Sequence, residues 1–232
     1  MQPTIPPMDL SIVIAAHNEQ ESIADVVRQC RAVLGPEPEI WVIDDGSRDA
    51  TADVAREAGA QVLRLATNQG KGRALAAGFA LTTGQWVATL DGDGQDLPVD
   101  LLRLLAAKRD DVGLVIGSRF KGKLEKGAIT PLNLLGNLAL TGLFDVLYGC
   151  AVSDTQAGLR LLRGELARGI VWHSREYEIE TEVLAKVLRR GWRVVEVPVT
   201  RLPRLGGHTD FRRVHNGMRI LKTMLAIRLN RM

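Results

Sequence analysis

Apolar residues in this chain fall into short unbroken runs separated by stretches of helical period. Leu10 to Ala16 (LSIVIAA) is a continuous apolar run of strand length, the pattern of a strand buried on both faces. Glu19 to Leu34 predicts a helix with Ile23, Val26, Val27, Cys30 and Leu34 along one side, which makes Cys30 a packing residue. Ile40 to Asp44 predicts a second strand and Ala52 to Ala58 a second helix. Gln61 to Leu65, Gly72 to Leu81, Gln85 to Leu90, Pro98 to Ala107 and Val112 to Ile116 continue the alternation. Strands alternating with helices over short connections predict parallel βαβ units and a doubly wound α/β sheet. Ligands of such sheets bind outside the carboxyl ends of the strands.

Beyond Arg119 the pattern changes. Residues 120–131 hold Lys121, Lys123, Lys126, Gly122, Gly127 and Pro131, which predicts a loop. Leu132 to Cys150 predicts a nearly uncharged helix, Tyr177 to Arg190 another helix, Val194 to Thr200 a late strand, and Arg212 to Leu229 a closing helix. From Gly127 to Ser153 the one charge is Asp145. A transmembrane span needs about 20 predominantly apolar residues, and Pro131, Asn133, Asn137, Thr141 and Asp145 interrupt this stretch. The last four recur every fourth residue and form a polar seam on an apolar helix. Either the seam packs toward a site on the sheet, or the helix lies in a bilayer interface.

The composition is that of a globular protein, with 46% hydrophobic and 25% charged residues. Charge is uneven: Arg201 to Met232 holds eight Lys or Arg against Asp210 alone, a net of +7, leaving −4 for the first 200 residues. A basic end on an acidic body points to an anionic partner, phosphate groups or a membrane surface. Aromatic residues make up only 4%, which argues against single-stranded nucleic acid. The closing helix mixes Met218, Ile220, Leu221, Met224, Leu225 and Leu229 with Arg212, Arg213, Arg219, Lys222, Arg228 and Arg231. That mixture suits either an anionic membrane surface or a helix packed on the domain with a solvated basic side. Two isolated cysteines and a start without a basic or apolar leader region set a cytoplasmic expectation.

The candidate chemistry sits at the strand ends. Thr89-Leu90-Asp91-Gly92-Asp93-Gly94-Gln95 runs an apolar strand into two acids one residue apart, which extended backbone points to the same side. Carboxylates at such spacing suit Mg²⁺ shared with substrate phosphates, although Asp-Gly pairs also form ordinary turns. The second strand ends in Asp44-Asp45-Gly46-Ser47-Arg48-Asp49-Ala50-Thr51. Asp49 or Thr51 caps the next helix, while Asp44 and Asp45 are free to accept hydrogen bonds from a base or ribose. The first strand ends in His17-Asn18-Glu19. Acids at the ends of three of the first four strands form a site. Asn68-Gln69-Gly70-Lys71-Gly72 lacks the spacing of a phosphate loop, and its helix reads as packing. The histidines at 17, 173, 208 and 215 have no partner at zinc-ligand spacing.

The strings AAHNE, DDGSRDAT, NQGKGRALAAG, DGDGQ and GSR, in this order, resemble the catalytic half of family 2 glycosyltransferases with a GT-A fold. The detailed match covers Leu10 to Arg119 and continues loosely to Phe211. Asp154-Thr155-Gln156-Ala157-Gly158-Leu159 and Tyr177-Glu178-Ile179-Glu180 resemble the polyprenol-phosphate branch, of the dolichol-phosphate mannose synthase type. The resemblance implies a GT-A domain over 1–211, with a donor half at 10–119 and an acceptor half at 120–211, followed by a basic amphipathic helix at 212–232. It implies that Ala15, His17, Glu19, Asp45 and Gly92 line a nucleotide-sugar pocket. Asp91 and Asp93 would handle the diphosphate and a Mg²⁺ or Mn²⁺ ion, with Gln95 as a further ligand. Arg119 would contact the donor, and Arg204 would close over it.

The acceptor implied by the resemblance is a polyprenyl phosphate, met at the inner face of a membrane through peripheral contact. Asp154 and Glu180 are candidates for orienting groups and Asn133 and Asn137 for acceptor contacts, while Glu182 is a helix ion-pair partner of Lys186. In that branch a basic residue often stands at the place of Asn133, and the tail carries Gly-x-Ser-Lys where this chain has Gly207-His208-Thr209-Asp210. Lys121, Lys123, Lys126 and Arg212 are alternative phosphate contacts. A hydroxyl acceptor, which would need a carboxylate base, and a non-catalytic membrane-surface or nucleotide-binding protein are the competing readings.

Overall fold

The computed structural model describes residues 9–204 and 213–230. Seven strands form one sheet: β1 (Leu10–Ala16), β2 (Glu39–Asp44), β3 (Gln61–Arg64), β4 (Trp86–Asp91), β5 (Val112–Leu124), β6 (Arg160–Arg163) and β7 (Arg193–Arg201). Their order is β3-β2-β1-β4-β6-β5-β7. All pairings are parallel except those of β6, which runs antiparallel between β4 and β5. The helices are α1 (Ile23–Leu34), α2 (Thr51–Glu57), α3 (Lys71–Leu81), α4 (Leu101–Ala106), α5 (Pro131–Tyr148), α6 (Gly164–Gly169), α7 (Ile179–Arg189) and α8 (Arg213–Arg228). This is the mostly parallel, helix-flanked α/β sheet expected of a GT-A fold.

Side-chain alternation along the buried strands separates two hydrophobic clusters, one on each face. Ile12 and Ile14 of β1 pack with Val26, Val27 and Cys30 of α1 and Leu101 and Leu104 of α4. Val13, between them, points the other way into a cluster with Phe79 of α3, Leu184 of α7, and Ile220, Met224 and Ile227 of α8. The apolar side of α8 therefore enters the same core as the sheet, which is the packed-helix reading of its amphipathic pattern. Met218 and Leu225 remain exposed on α8, and Leu229 just beyond its end.

Three features differ from the sequence expectation. The first helix begins at Ile23, leaving Glu19 in a preceding turn. Residues 120–124 continue β5 instead of opening a loop, pairing Lys123 with Thr200 and Leu124 with Arg201 after a register shift. This extension is exposed, so it lacks the apolar run that marks a buried strand. The short β6 carries arginines at both ends. Arg160 is buried nonetheless, because its guanidinium donates to the carbonyls of Ala157, Glu180 and Thr155. A buried charge is tolerated when it is fully hydrogen-bonded.

Helix α5 lies partly outside the core, with Thr141 and Phe144 its fully buried residues. Its polar seam faces inward: Thr141 Oγ1 lies 2.9 Å from Thr155 Oγ1, and Asp145 accepts from the Val152 amide at 3.0 Å. Leu132, Leu135, Leu138, Leu143 and Val146 face outward. Among the described residues no helix is long and apolar enough to cross a membrane.

Candidate active site

The parallel register brings three strand ends level, with Ala15 opposite Asp91 and Ala16 opposite Asp44. Beyond this edge lies a cleft of about 460 Å³, within the size range of small-ligand sites. Ala15, His17, Glu19, Asp45, Asp91, Gly92, Asp93 and Arg204, all named from sequence, line it together.

Asp45 closes one wall. Its two carboxylate oxygens accept from the backbone amides of Gln69 at 2.7 Å and Gly70 at 2.8 Å. Gly70 has φ +96°, and a Cβ there would meet the Arg175 carbonyl at 2.3 Å, so only glycine fits this contact. His17 Nδ1 lies 2.8 Å from the Asp45 carbonyl, and its Nε2 lies 3.1 Å from Asn18 Nδ2. Since a carbonyl only accepts, the network assigns the proton to Nδ1. Asp44 has a different task from the one read in sequence. It is fully buried, accepts from the Ser47 amide at 2.9 Å and pairs with Arg64 at 3.2 Å. Asp44 thus shapes the turn, and Asp45 reaches the cleft. Asp49 accepts from the Thr51 amide at 3.0 Å just ahead of α2, but neither it nor Thr51 is the N-cap, which is Ala50.

Opposite this wall the acids meet cations. Lys71, at the first position of α3, bridges Asp91 Oδ1 at 2.6 Å and Glu180 Oε1 at 2.7 Å. Burial opposes its charge, but the two carboxylates hold its pKa above the ordinary lysine value. Asp91 is likewise pushed up by burial and pulled further down by Lys71 and Arg201. Asp93 is raised, first by burial and then by its neighbour Asp91, against the opposing Arg201. Glu19 is raised to about 7, chiefly by burial and secondarily by Asp93 and Asp91, while Arg204 and Ser22 act against the shift. Arg204 pairs with Glu19 and lies 3.8 Å from Asp93 Oδ2, which draws the end of the described tail segment over the cleft.

The remaining named residues, Arg119, Asp154, Gln95, Glu180, Asn133 and Asn137, are not among those lining the cleft. Arg119 makes a two-pronged pair with the fully buried Asp154, Nε and Nη2 each 2.7 Å from a carboxylate oxygen. Its field reaches Asp91 and helps keep that carboxyl ionised. Gln95 does not line the cleft. Its amide oxygen accepts from Arg201 at 2.9 Å and its amide nitrogen donates to the Leu202 carbonyl at 2.9 Å. Glu180 is reached through Lys71, and its Oε2 is buried without a hydrogen-bond partner. Asn133 Oδ1 is also shielded and unpartnered, and Asn137 is half-buried on the α5 seam. The Gly207-His208-Thr209-Asp210 segment and Arg212 lie outside the described residues. Glu182 pairs with Lys186 at 2.5 Å as expected, but in the interior, where it also receives the His173 and Ser174 amides.

Sequence reading missed Lys71, Arg201, Tyr177 and the α8 residues Asn216 and Arg219. Lys71 stood in a glycine-rich string set aside for lacking phosphate-loop spacing. Asn216 and Arg219 line the cleft through long-range packing with no local pattern to mark them, while Tyr177, which also lines it, stands in the Tyr177–Glu180 string without having been assigned to the site.

The donor set fits a hard divalent cation. Asp91 and Asp93 present carboxylate oxygens from one strand end, and no cluster of three or more His, Cys, Asp or Glu completes a protein-only cage among the described residues. Such a set matches an ion that takes its other ligands from phosphate and water.

A family model described as glycosyl transferase family 2 matches residues 11–167. The dolichyl-phosphate hexose transferase of Haloferax volcanii is 32% identical over 201 residues, covering 85% of each chain. Glycosyltransferase AglJ of the same organism is 32% identical over 202 residues, 87% of this chain; the chain spans 65% of its length. Glucosyl-3-phosphoglycerate synthase of Mycobacterium tuberculosis, solved with Mn²⁺, UDP and phosphoglyceric acid, superposes with a TM-score of 0.76 at 22% identity, covering 95% of this chain and 78% of that one. The strand-end acids, the sheet order and the family match over most of the chain agree, and the chain belongs to glycosyl transferase family 2.

Proposed function

We propose that this chain is an inverting, metal-dependent glycosyltransferase that moves a sugar from a nucleotide-sugar donor to a polyprenyl phosphate. One observation carries the reading: Asp91 and Asp93 face a cleft shared with Glu19 and Asp45, and Lys71, Arg201 and Arg204 stand around them. Asp45, His17 and Ala15 hold the nucleoside end. Lys71, Arg204 and Arg119 supply positive charge toward the diphosphate, and Asp154 holds Arg119 in one orientation. Mg²⁺ or Mn²⁺ bound at Asp91 and Asp93 supplies further positive charge to the departing diphosphate.

A phosphate acceptor simplifies the chemistry left to the protein. Its second pKa is near ~6, so it is largely ionised at neutral pH and needs no base to remove a proton. Attack on the anomeric carbon opposite the leaving group inverts configuration in one displacement. Asn133, Asn137 and Glu180 are the residues assigned to the acceptor in this reading, and Thr141 links the α5 seam to Thr155. The outward leucines of α5 fit a lipid surface, placing the cleft beside the membrane that carries the acceptor, at its cytoplasmic face. The Haloferax volcanii relative named as a dolichyl-phosphate hexose transferase supports the same acceptor class.

A soluble acceptor is the second reading, favoured by the structural neighbour solved with phosphoglyceric acid. Incubation with Mn²⁺, a panel of nucleotide sugars and short-chain polyprenyl phosphates separates the two. The proposal expects a lipid-phosphate-sugar by mass spectrometry, lost in Asp93→Ala. Turnover confined to lipid-free acceptors, or full activity in the variant, would refute it.

A further inference from the structure

Arg201 ends β7 beside the Asp91–Asp93 pair and is only 8% exposed. One of its nitrogens, Nη2, lies 2.9 Å from Gln95 Oε1 and 3.7 Å from both Asp91 Oδ2 and Asp93 Oδ2. Its other terminal nitrogen pairs with the buried Asp96 at 2.6 Å. The backbone fixes this placement as well: Asp96 and Arg201 form a β-bridge, and the Leu202 amide donates to the Gln95 carbonyl at 2.9 Å. Gln95 Oε1 and one carboxylate oxygen each of Asp91 and Asp93 therefore converge on one guanidinium. That group stays charged at any accessible pH. It cannot swing into solvent without leaving Asp96 buried and unpaired.

We propose that Arg201 is a resident cation of the Asp91–Asp93 centre, so that a divalent ion alone binds weakly and binds tightly only together with the diphosphate of the donor. The proposal rests on the metal-dependent reading above. Arg201 repels an incoming cation and engages the Gln95 oxygen. An anionic diphosphate offsets that repulsion by bringing negative charge beside the buried guanidinium and the ion together. The coupling is reciprocal, so an ion tightens diphosphate binding by the same factor. Arg201 would thus keep the site from filling with metal before a donor arrives.

Mn²⁺ uptake, followed by loss of the free-ion electron paramagnetic resonance signal, tests this without any turnover. Wild type is compared with Arg201→Gln/Asp96→Asn, which neutralises the buried pair together, each alone and with UDP or GDP. The double variant should bind Mn²⁺ alone about ten-fold more tightly or better, with the nucleotide enhancement reduced by a similar factor, within the usual range of coupling. Arg201→Gln alone gives the same comparison should the double variant fail to melt cooperatively. Variants that bind Mn²⁺ alone no more tightly than wild type would overturn the proposal. Wild type binding Mn²⁺ equally well with and without nucleotide would also overturn it, leaving the metal reading intact. No uptake by wild type even with nucleotide would sink both.

Discussion

Replacing Lys71 by Met isolates the electrostatic core of the cleft. The side chain is 15% exposed, and its ammonium contacts Asp91 at 2.6 Å and Glu180 at 2.7 Å. At an effective dielectric of about 20, each contact gives roughly 6 kcal/mol of attraction, against desolvation costs of several kcal/mol per ion. Removing the shared cation leaves Glu180 buried, with one oxygen already lacking a hydrogen bond. The expected loss is about 3–5 kcal/mol of stability, or roughly 6–20 °C in melting temperature for a chain of this size. In wild type the Asp91 pKa is lowered, so its contribution is present above the unfolded value near ~3.9 and lost as pH falls through the folded one. Lys71 is raised, so its contribution is complete below ~10.4 and lost as pH rises through its folded value. Both are therefore in full effect at pH 7. Denaturant melts of Lys71→Met, Glu180→Gln and the double variant measure the coupling. Effects that add within about 0.5 kcal/mol would refute a shared buried ion.

Three further perturbations probe other parts of the site. Glu19, raised to about 7 mainly by burial, should make wild-type stability fall as pH rises from the unfolded value near ~4.3 to the folded one. Glu19→Gln should abolish that slope and gain about 1–3 kcal/mol at pH 8; parallel pH profiles would contradict the assignment. In Gly158→Ala the new Cβ would stand 2.9 Å from Asp91 Oδ2, so transfer rate should drop about ten-fold or more for a stability change near ~1 kcal/mol. An unchanged rate would show that Asp91 tolerates displacement. Leu135 and Val146 are 65% and 81% exposed on α5. Leu135→Glu/Val146→Glu should leave folding stability within about 0.5 kcal/mol per site yet weaken co-sedimentation with phosphatidylglycerol vesicles; undiminished binding would move the lipid contact elsewhere.

Most of the donor side was legible in the sequence because it is local. Apolar runs such as Leu10 to Ala16 end in acids, and strand ends of a parallel sheet converge on one edge wherever the helices lie. Asp45, Asp91, Asp93 and Glu19 could therefore be named together before any fold was seen. The polar seam of α5 was equally readable as a four-residue period, though its direction was not.

Tertiary structure decided the counter-charges. Lys71 sits in a string that carried only the family resemblance and Arg201 in none, and no spacing marks either as a charge partner of Asp91. Their importance comes from where α3 begins and β7 ends relative to β4, a relation between residues 20 and 110 positions apart in sequence. The same holds for Asp44 and Asp45, adjacent acids that alternation sends to a turn and to the cleft. Periodicity records which way a side chain points along its own element, whereas the field a charge experiences is set by neighbours that only folding brings within a few ångströms.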